Sequence, residues 1–238
     1  MSASSSPVAL FKRLLPRPVK SAVRRAYERR TLSDALRHVA RLEPGAVPSL
    51  SLLENLQRGW ANDGMAARTD YLAEVCRQAA RTSGPILECG SGLTTLLLGL
   101  LAGRRGIETW TLEHLPEWHR ALTDTLARHE IRNVHLLLTP LRSFGDFTWY
   151  DPPLDALPRR FNLVVCDGPP SDTASGRYGV LPVLGDRIAA NTVILLDDAE
   201  RPTESEVLRR WHAERPMVTS LMEAPSGTYA VAIVSGSN

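Results

Sequence analysis

The chain is poor in material for a covalent or metal framework. Cys76, Cys89 and Cys166 are its only cysteines in 238 residues, an odd number with no C-x-x-C pair. Neither a disulfide scaffold nor a zinc site is expected, and buried thiols in a reducing compartment are the simplest reading. Long apolar runs are also missing. A bilayer crossing needs roughly 20 consecutive apolar residues, whereas the best run here, Leu96 to Ala102, is short and interrupted by Gly99. Near the start, Lys12 and Arg13 follow a few apolar residues, so the apolar stretch and small-residue cleavage site of a secretory signal are not recognisable. A cytoplasmic protein is expected.

What is present is unevenly distributed. Residues 1–30 hold eight Lys or Arg against one acid, Glu28, so the formal charge of +2 divides into +7 for this segment and −5 for the rest. A basic amphipathic segment suits peripheral contact with anionic lipid or an acidic partner, and an Arg- and Ser-rich start also resembles an organellar transit peptide. Nucleic acid is not the expected partner. Pro7, Pro16 and Pro18 break any long helix in residues 1–18. From Val19, the apolar positions Val19, Ala22, Val23, Ala26 and Tyr27, then Leu32, Ala35, Leu36, Val39 and Ala40, keep the 3/4 spacing of one or two amphipathic helices. The stretch EPGAVP, Glu43 to Pro48, reads as a linker. Residues 1–48 are therefore taken as a basic helical extension and 49–238 as the main domain.

Within that domain, Ser51 and Glu54 form a capping-box pattern for a helix over about 52–60, and a second helix is expected over about 66–81. The periodicity then changes. Short apolar runs (86–88, 108–113, 134–139, 163–167, 193–197) alternate with helical patterns (93–101, 116–128, 178–189), with an irregular stretch up to Arg160. Five strands joined mostly by helical crossovers predict an α/β fold, a mostly parallel sheet with helices on both faces. Thr203 and Glu206 suggest a capped final helix, and runs at 217–222 and 229–234 around Pro225-Ser226-Gly227 predict a closing antiparallel hairpin.

In such a sheet the ligand lies beyond the carboxyl ends of the strands. Those ends are acidic here: Glu88, Glu113, Asp167, and Asp197 with Asp198, the third strand alone ending neutrally at Thr139. Burying so many acids at one edge costs free energy unless a ligand compensates them. Glu88 leads into Cys89-Gly90-Ser91-Gly92, a glycine turn before a helix. A dinucleotide fingerprint would place a third glycine where Thr95 stands, and Glu88 would repel a pyrophosphate. A carboxylate there suits a ligand bearing an ammonium and a sulfonium, and Glu113 is placed to accept hydrogen bonds from ribose hydroxyls.

The segments 86–92 (ILECGSG), 112–114 (LEH), 163–170 (LVVCDGPP) and 194–201 (ILLDDAER) together resemble the class I S-adenosylmethionine-dependent methyltransferases, over residues 55 to the end. The resemblance implies a Rossmann-like seven-stranded sheet with an antiparallel last strand. It also implies S-adenosylmethionine held by Glu88 and Gly90 at its methionine part, by Glu113 at its ribose and by His114 with Leu141 around its adenine, with Ser91, Gly92 and Asp167 also expected at the cofactor. The aspartates Asp167, Asp197 and Asp198 are similar to the acceptor-side motif of catechol O-methyltransferase and the metal-dependent sugar O-methyltransferases. Asp167 and Asp197 are then the candidate catalytic pair, and with Asp198 the candidate Mg²⁺ ligands, poised to orient a hydroxyl of a small-molecule acceptor. The pattern departs from that family at Pro170, where the catechol-type enzymes carry a lysine base, and at Asp198, where they usually carry Asn. Two plainer roles stand beside the metal: Asp197 and Asp198 as helix caps, or one of them paired with Arg201. Arg177 and Tyr178, in the loop Gly168 to Gly179, are candidate substrate contacts. His119, His129 and His135 lack metal-ligand spacing and read as structural. Two other readings stay open: a nicotinamide-dependent dehydrogenase on the same fold, and a non-catalytic module brought to polyanions by the basic segment.

Overall fold

A computed structural model describes residues 17–62 and 67–236. The expectations for residues 1–16, and for a helix start at Ala66, lie outside them. The first element, α1 (Arg17–Ala40), is one continuous helix. Pro18 sits in its first turn, where the missing N–H has no helical partner to lose. After the irregular segment 43–48 come α2 (Leu50–Trp60) and α3 (Thr69–Arg81). Ser49, rather than Ser51, caps α2: its extended backbone turns the hydroxyl to accept from Leu52 N.

The alternating part follows as β1 (Ile86–Cys89), α4 (Leu93–Gly103), β2 (Thr109–Glu113), α5 (Pro116–Arg128) and β3 (Val134–Leu138). A small hairpin, β4 (Leu141–Ser143) with β5 (Thr148–Tyr150), occupies the stretch expected to be irregular. Then come β6 (Leu163–Cys166), α6 (Val180–Leu184), β7 (Val193–Leu196), α7 (Pro202–Glu214), β8 (Met217–Ala224) and β9 (Gly227–Val234). The helix expected over 178–189 is broken into the 3₁₀ turns Gly176–Gly179 and Gly185–Arg187 around the short α6. Pro182 lacks a donor and Gly185 has φ +54°, so a long helix cannot propagate there. Arg201, not a Thr203 box, precedes α7, and Pro202 takes its first position.

The seven-stranded sheet has the order β3-β2-β1-β6-β7-β9-β8. Its first five strands are mutually parallel, and β9 lies antiparallel between β7 and β8. Alternation along each strand divides the core. Ile86, Leu163, Val165 and Leu195 face α1 to α5, while Leu87, Cys89, Val164, Cys166, Ile194 and Leu196 face the β4–β5 hairpin, α6 and α7. Both faces are covered, which is why β6 reads as an unbroken apolar run and β1 is buried throughout, Glu88 included. The second half of α1 supplies Leu32, Ala35, Leu36 and Val39 to the first core, and Gly59 of α2 lets Leu32 come so close that a Cβ there would lie 2.4 Å from its amide nitrogen. No described helix is long and apolar enough to cross a membrane.

Candidate active site at the carboxyl edge of the sheet

The turn after β1 is fixed from three sides. Gly90 has φ +86°, and a Cβ on it would stand 2.9 Å from Gly168 N, so both its conformation and its contact require glycine. Across that contact, the amides of Asp167 and Gly168 both donate to Cys89 O, at 3.1 and 2.7 Å. Gly92 differs: its backbone is extended and a Cβ would meet nothing within 4 Å, so this glycine keeps space open rather than permitting a turn. Thr95, which replaces the third glycine of a dinucleotide fingerprint, links the turn to the strand below it. Its hydroxyl accepts from Gly92 N at 2.9 Å and donates to Glu88 Oε2 at 2.7 Å.

Glu88 is fully buried beneath this turn, and Thr111 Oγ1 gives its Oε2 a second hydrogen bond at 2.8 Å. Its Oε1 has no partner among the described residues. Burial pushes the carboxyl up to about 7, against the hydrogen bonds from Thr95 and Thr111 that favour the charge. Glu113, at the end of β2, is ringed by donors. Ser91 N lies at 3.3 Å from its Oε2 and Ser91 Oγ at 2.5 Å, and the amides of His114 and Leu115 each lie at 2.8 Å from Oε1. The carboxylate thereby ties the glycine turn to the second strand. His114 meets Tyr150 edge to face at 6.1 Å, and Leu141 is the register partner of Tyr150, so these two predicted positions adjoin one aromatic ring.

A narrow cleft of about 30 Å³ opens over the turn, lined by Gly90, Ser91, Gly92, Leu93, Thr94 and Asp167 together with Trp60, Asn62, Ala67 and Trp118. It is far below the roughly 300–1,000 Å³ usual for small-molecule pockets, so a nucleoside would enter only with the cleft opened. Glu88 and Glu113 do not line it; they lie behind the turn that does. Trp60 and Trp118 pack edge to face at 5.8 Å, and Trp118 Nε1 donates to Ser91 O at 2.9 Å. Sequence reasoning misses both tryptophans, although Trp118, in the first turn of the helix after β2, is a signal that could have found one of them. A larger hollow of about 370 Å³ beside Asp34, Arg37, His38, Arg41 and Leu42 lies at the end of α1. No strand end reaches it, so the chemistry is assigned to the cleft.

On the acceptor side, Asp167, Asp197 and Asp198 converge as expected, with one oxygen of each inside a 4.8 Å span. A side chain from the loop sits among them. Arg177, only 2% exposed, donates through Nη1 to Asp197 O at 2.6 Å and through Nη2 to Asp167 O at 2.8 Å. The same Nη2 lies 3.3 Å from Asp167 Oδ1 and 3.2 Å from Asp198 Oδ2, and Nε lies 3.9 Å from the buried Glu204. Asp198 also meets Arg201 at 2.9 Å and Arg68 at 3.6 Å. The sequence thus points to Arg177 as a substrate contact, whereas in the fold its guanidinium braces two strand ends. Tyr178 packs away from the cleft, under Arg210 and against Glu214.

Burial raises Asp197 to about 7, with the neighbouring charges of Asp167 and Asp198 adding to it. Asp167 rises to about 6, burial outweighing the opposing pull of Arg177, although a quarter of its side chain stays exposed. Cys89 and Cys166 are buried register partners, and His135 stacks on Trp110 at 4.4 Å.

No family model and no curated protein matches the sequence. Solved structures do. A Podospora anserina methyltransferase bound to SAH superposes with a TM-score of 0.54 at 18% identity, over 94% of this chain and 99% of its own. A putative caffeoyl-CoA O-methyltransferase from Staphylococcus aureus gives 0.54 at 11%, covering 79% and 93%. The C-terminal domain of precorrin-6Y C5,15-methyltransferase from Rhodobacter capsulatus gives 0.53 at 13%, covering 80% and 97%. At such identities the likeness shows the fold, a Rossmann-like α/β domain.

Proposed function

We propose that the protein is an S-adenosylmethionine-dependent methyltransferase acting on a small-molecule acceptor, with a hydroxyl oxygen as the methylated atom. The observation that carries the reading is the glycine turn Gly90-Ser91-Gly92, held between two carboxylates and opening on a cleft that Asp167 also lines. The residues fit a cationic nucleoside. Glu88 keeps one buried oxygen without a partner, Gly92 leaves open space, and no lysine or arginine neutralises Glu88 or Glu113 among the described residues. That methyltransferases, some solved with SAH, share the fold supports the same reading.

The cofactor supplies an electrophilic methyl group on its sulfonium. The chain must then align an acceptor in line with it and take up a proton. Glu113, whose Oε2 now accepts from the Ser91 hydroxyl, would hold the ribose hydroxyls. His114 and Leu141, near Tyr150, would border the adenine. Trp60 and Trp118 wall the cleft and exclude water. Asp167 is the proton acceptor, because it lines the cleft and ionises near neutral pH. The aspartate trio does not suit Mg²⁺: Arg177 already lies between Asp167 and Asp198, with Arg201 and Arg68 on the latter, so no step is drawn through a metal.

Calorimetric titration with S-adenosylhomocysteine and with NAD⁺ tests the reading. S-adenosylhomocysteine should bind and NAD⁺ should not, and Glu113→Ala should weaken binding by about 10- to 100-fold, the loss of charged hydrogen bonds. With an acceptor in hand, kcat/KM should climb with pH through about 6 as Asp167 ionises. No affinity for S-adenosylhomocysteine in the folded protein would end the proposal.

A further inference from the structure

The two halves of α1 present their apolar residues on different sides. Leu32, Ala35, Leu36 and Val39 are buried against α2 and the helices beyond it. Val19, Ala22, Val23, Ala26 and Tyr27 are exposed, with Val23 at 57% and Tyr27 at 60%. At 3.6 residues per turn, the centre of this front stripe is rotated about 160° from the buried one. The continuous helix that docks its second half therefore turns the first stripe away from the body. All of residues 22–27 are exposed.

The same helical geometry puts cations on both borders of the exposed stripe: Lys20 and Arg24 along one, Arg25 and Arg29 along the other, with Arg30 closing its end. Glu28 is the only acid in this half, and it pairs with Arg24. A narrow apolar strip edged by long basic side chains is the arrangement that lies flat at a bilayer interface, where stems bury and charged heads reach the phosphates. A second copy of the chain is a poor occupant, because matching stripes would bring two strongly basic rows together. A nucleic acid backbone would leave the valines and Tyr27 without a use.

We propose that the front half of α1 docks the protein on an anionic lipid surface, the stripe Val19, Val23 and Tyr27 entering the headgroup boundary while Lys20, Arg25, Arg29 and Arg30 meet lipid phosphates. The inference does not depend on the methyl-transfer reading. It bears on the cleft nonetheless, because α1 grips α2 at Gly59 and the next residue, Trp60, is a cleft wall.

The test is co-sedimentation of the full chain with phosphatidylcholine vesicles and with vesicles containing phosphatidylglycerol, at low and high salt. Binding should require the anionic lipid and weaken with salt. Val23→Ser with Tyr27→Ser, which keeps the charge, should lower partitioning at least about 10-fold. Arg25→Gln, Arg29→Gln and Arg30→Gln together should lower it about 100-fold. Every position is exposed, so unchanged thermal melting serves as the folding control. The proposal is overturned if the chain ignores anionic vesicles, or if the serine variant binds them as the parent does, which would mark a purely electrostatic polyanion contact. It is equally overturned if the stripe instead holds a dimer, seen as a sedimentation change in the serine variant without lipid, or if only an acidic protein is retained.

Discussion

The two ends of the acidic rim satisfy their carboxylates by opposite means. At the β1–β2 end, Glu88 and Glu113 receive hydroxyls and backbone amides, from Thr95, Thr111, Ser91, His114 and Leu115. At the β6–β7 end, Asp167 and Asp198 receive guanidinium groups. Neutral donors leave a negative charge in place, so the first end retains an attraction for a cationic ligand. Guanidinium groups cancel it, so the second end is a brace that leaves one partly exposed carboxylate, Asp167, facing the cleft. Acids in a common register on one edge thus divide into a binding half and a structural half according to what the following loops deliver to them.

Arg177 carries the largest consequence of that division. Arg177→Ala strands several acids in a buried site and removes hydrogen bonds to two strand ends, and breaking a buried pair of this kind costs about 3–5 kcal/mol. Urea denaturation should show the loss, and Arg177→Lys should not restore it, since one ammonium cannot span both carbonyls and both carboxylates. Millimolar Mg²⁺ should leave the melting temperature of the parent unchanged and raise that of Arg177→Ala. A Mg²⁺-dependent rise in the parent would mean that the trio takes a metal despite Arg177, and the contrast between the two ends would collapse.

At the other end the expected sign is reversed. Glu88 has a folded pKa of about 7 against an ordinary value of 4.5. Between those two values the folded state holds more protons than the unfolded one, so stability falls as pH rises through this window, and the whole penalty is present above it. Glu88→Gln removes the titration but leaves the group at the Oε1 position without a partner. It should stabilise the protein by about 1–2 kcal/mol at pH 8 and give no gain near pH 4. S-adenosylhomocysteine affinity should fall in the same variant. A variant that is stabler yet binds as well as the parent would show that the Glu88 charge serves structure rather than ligand.

Much of this contrast is legible from residues in order, because four of the five parallel strands are short, mainly apolar runs with an acid within one residue of the carboxyl end. The parallel strands and the closing hairpin follow from that pattern, whereas the seven-stranded order with its antiparallel last strand and the meeting of Asp167 with Asp197 and Asp198 follow only through the resemblance to the class I methyltransferases. What stays hidden depends on chain paths. Arg177 lies ten residues beyond Asp167 in a loop whose course no periodicity reveals, so its guanidinium could be placed near a substrate as readily as between two strand ends. Trp60 and Trp118 come from separate helices and meet only in the folded chain. The cap of α2 is ambiguous in sequence because two serines two residues apart both precede an apolar run, and backbone geometry selects Ser49. The α6 region reads as one helix only if Pro182 and Gly185 are overlooked.

The smallest expected effect separates the two glycines that the sequence treats alike. Gly92→Ala places a methyl where nothing lies within 4 Å, on a backbone that any residue can adopt. Stability should therefore stay within about 0.5 kcal/mol of the parent, as for a surface change. Because Gly92 lines the cleft, that methyl occupies the space in which a ligand would approach the turn, and S-adenosylhomocysteine affinity should drop several-fold in calorimetry with the melting curve unmoved. An affinity loss without a stability loss localises the ligand to the wall formed by Gly92. Unchanged affinity would move the cofactor off this wall and leave the neutral-donor end of the rim as one more structural brace.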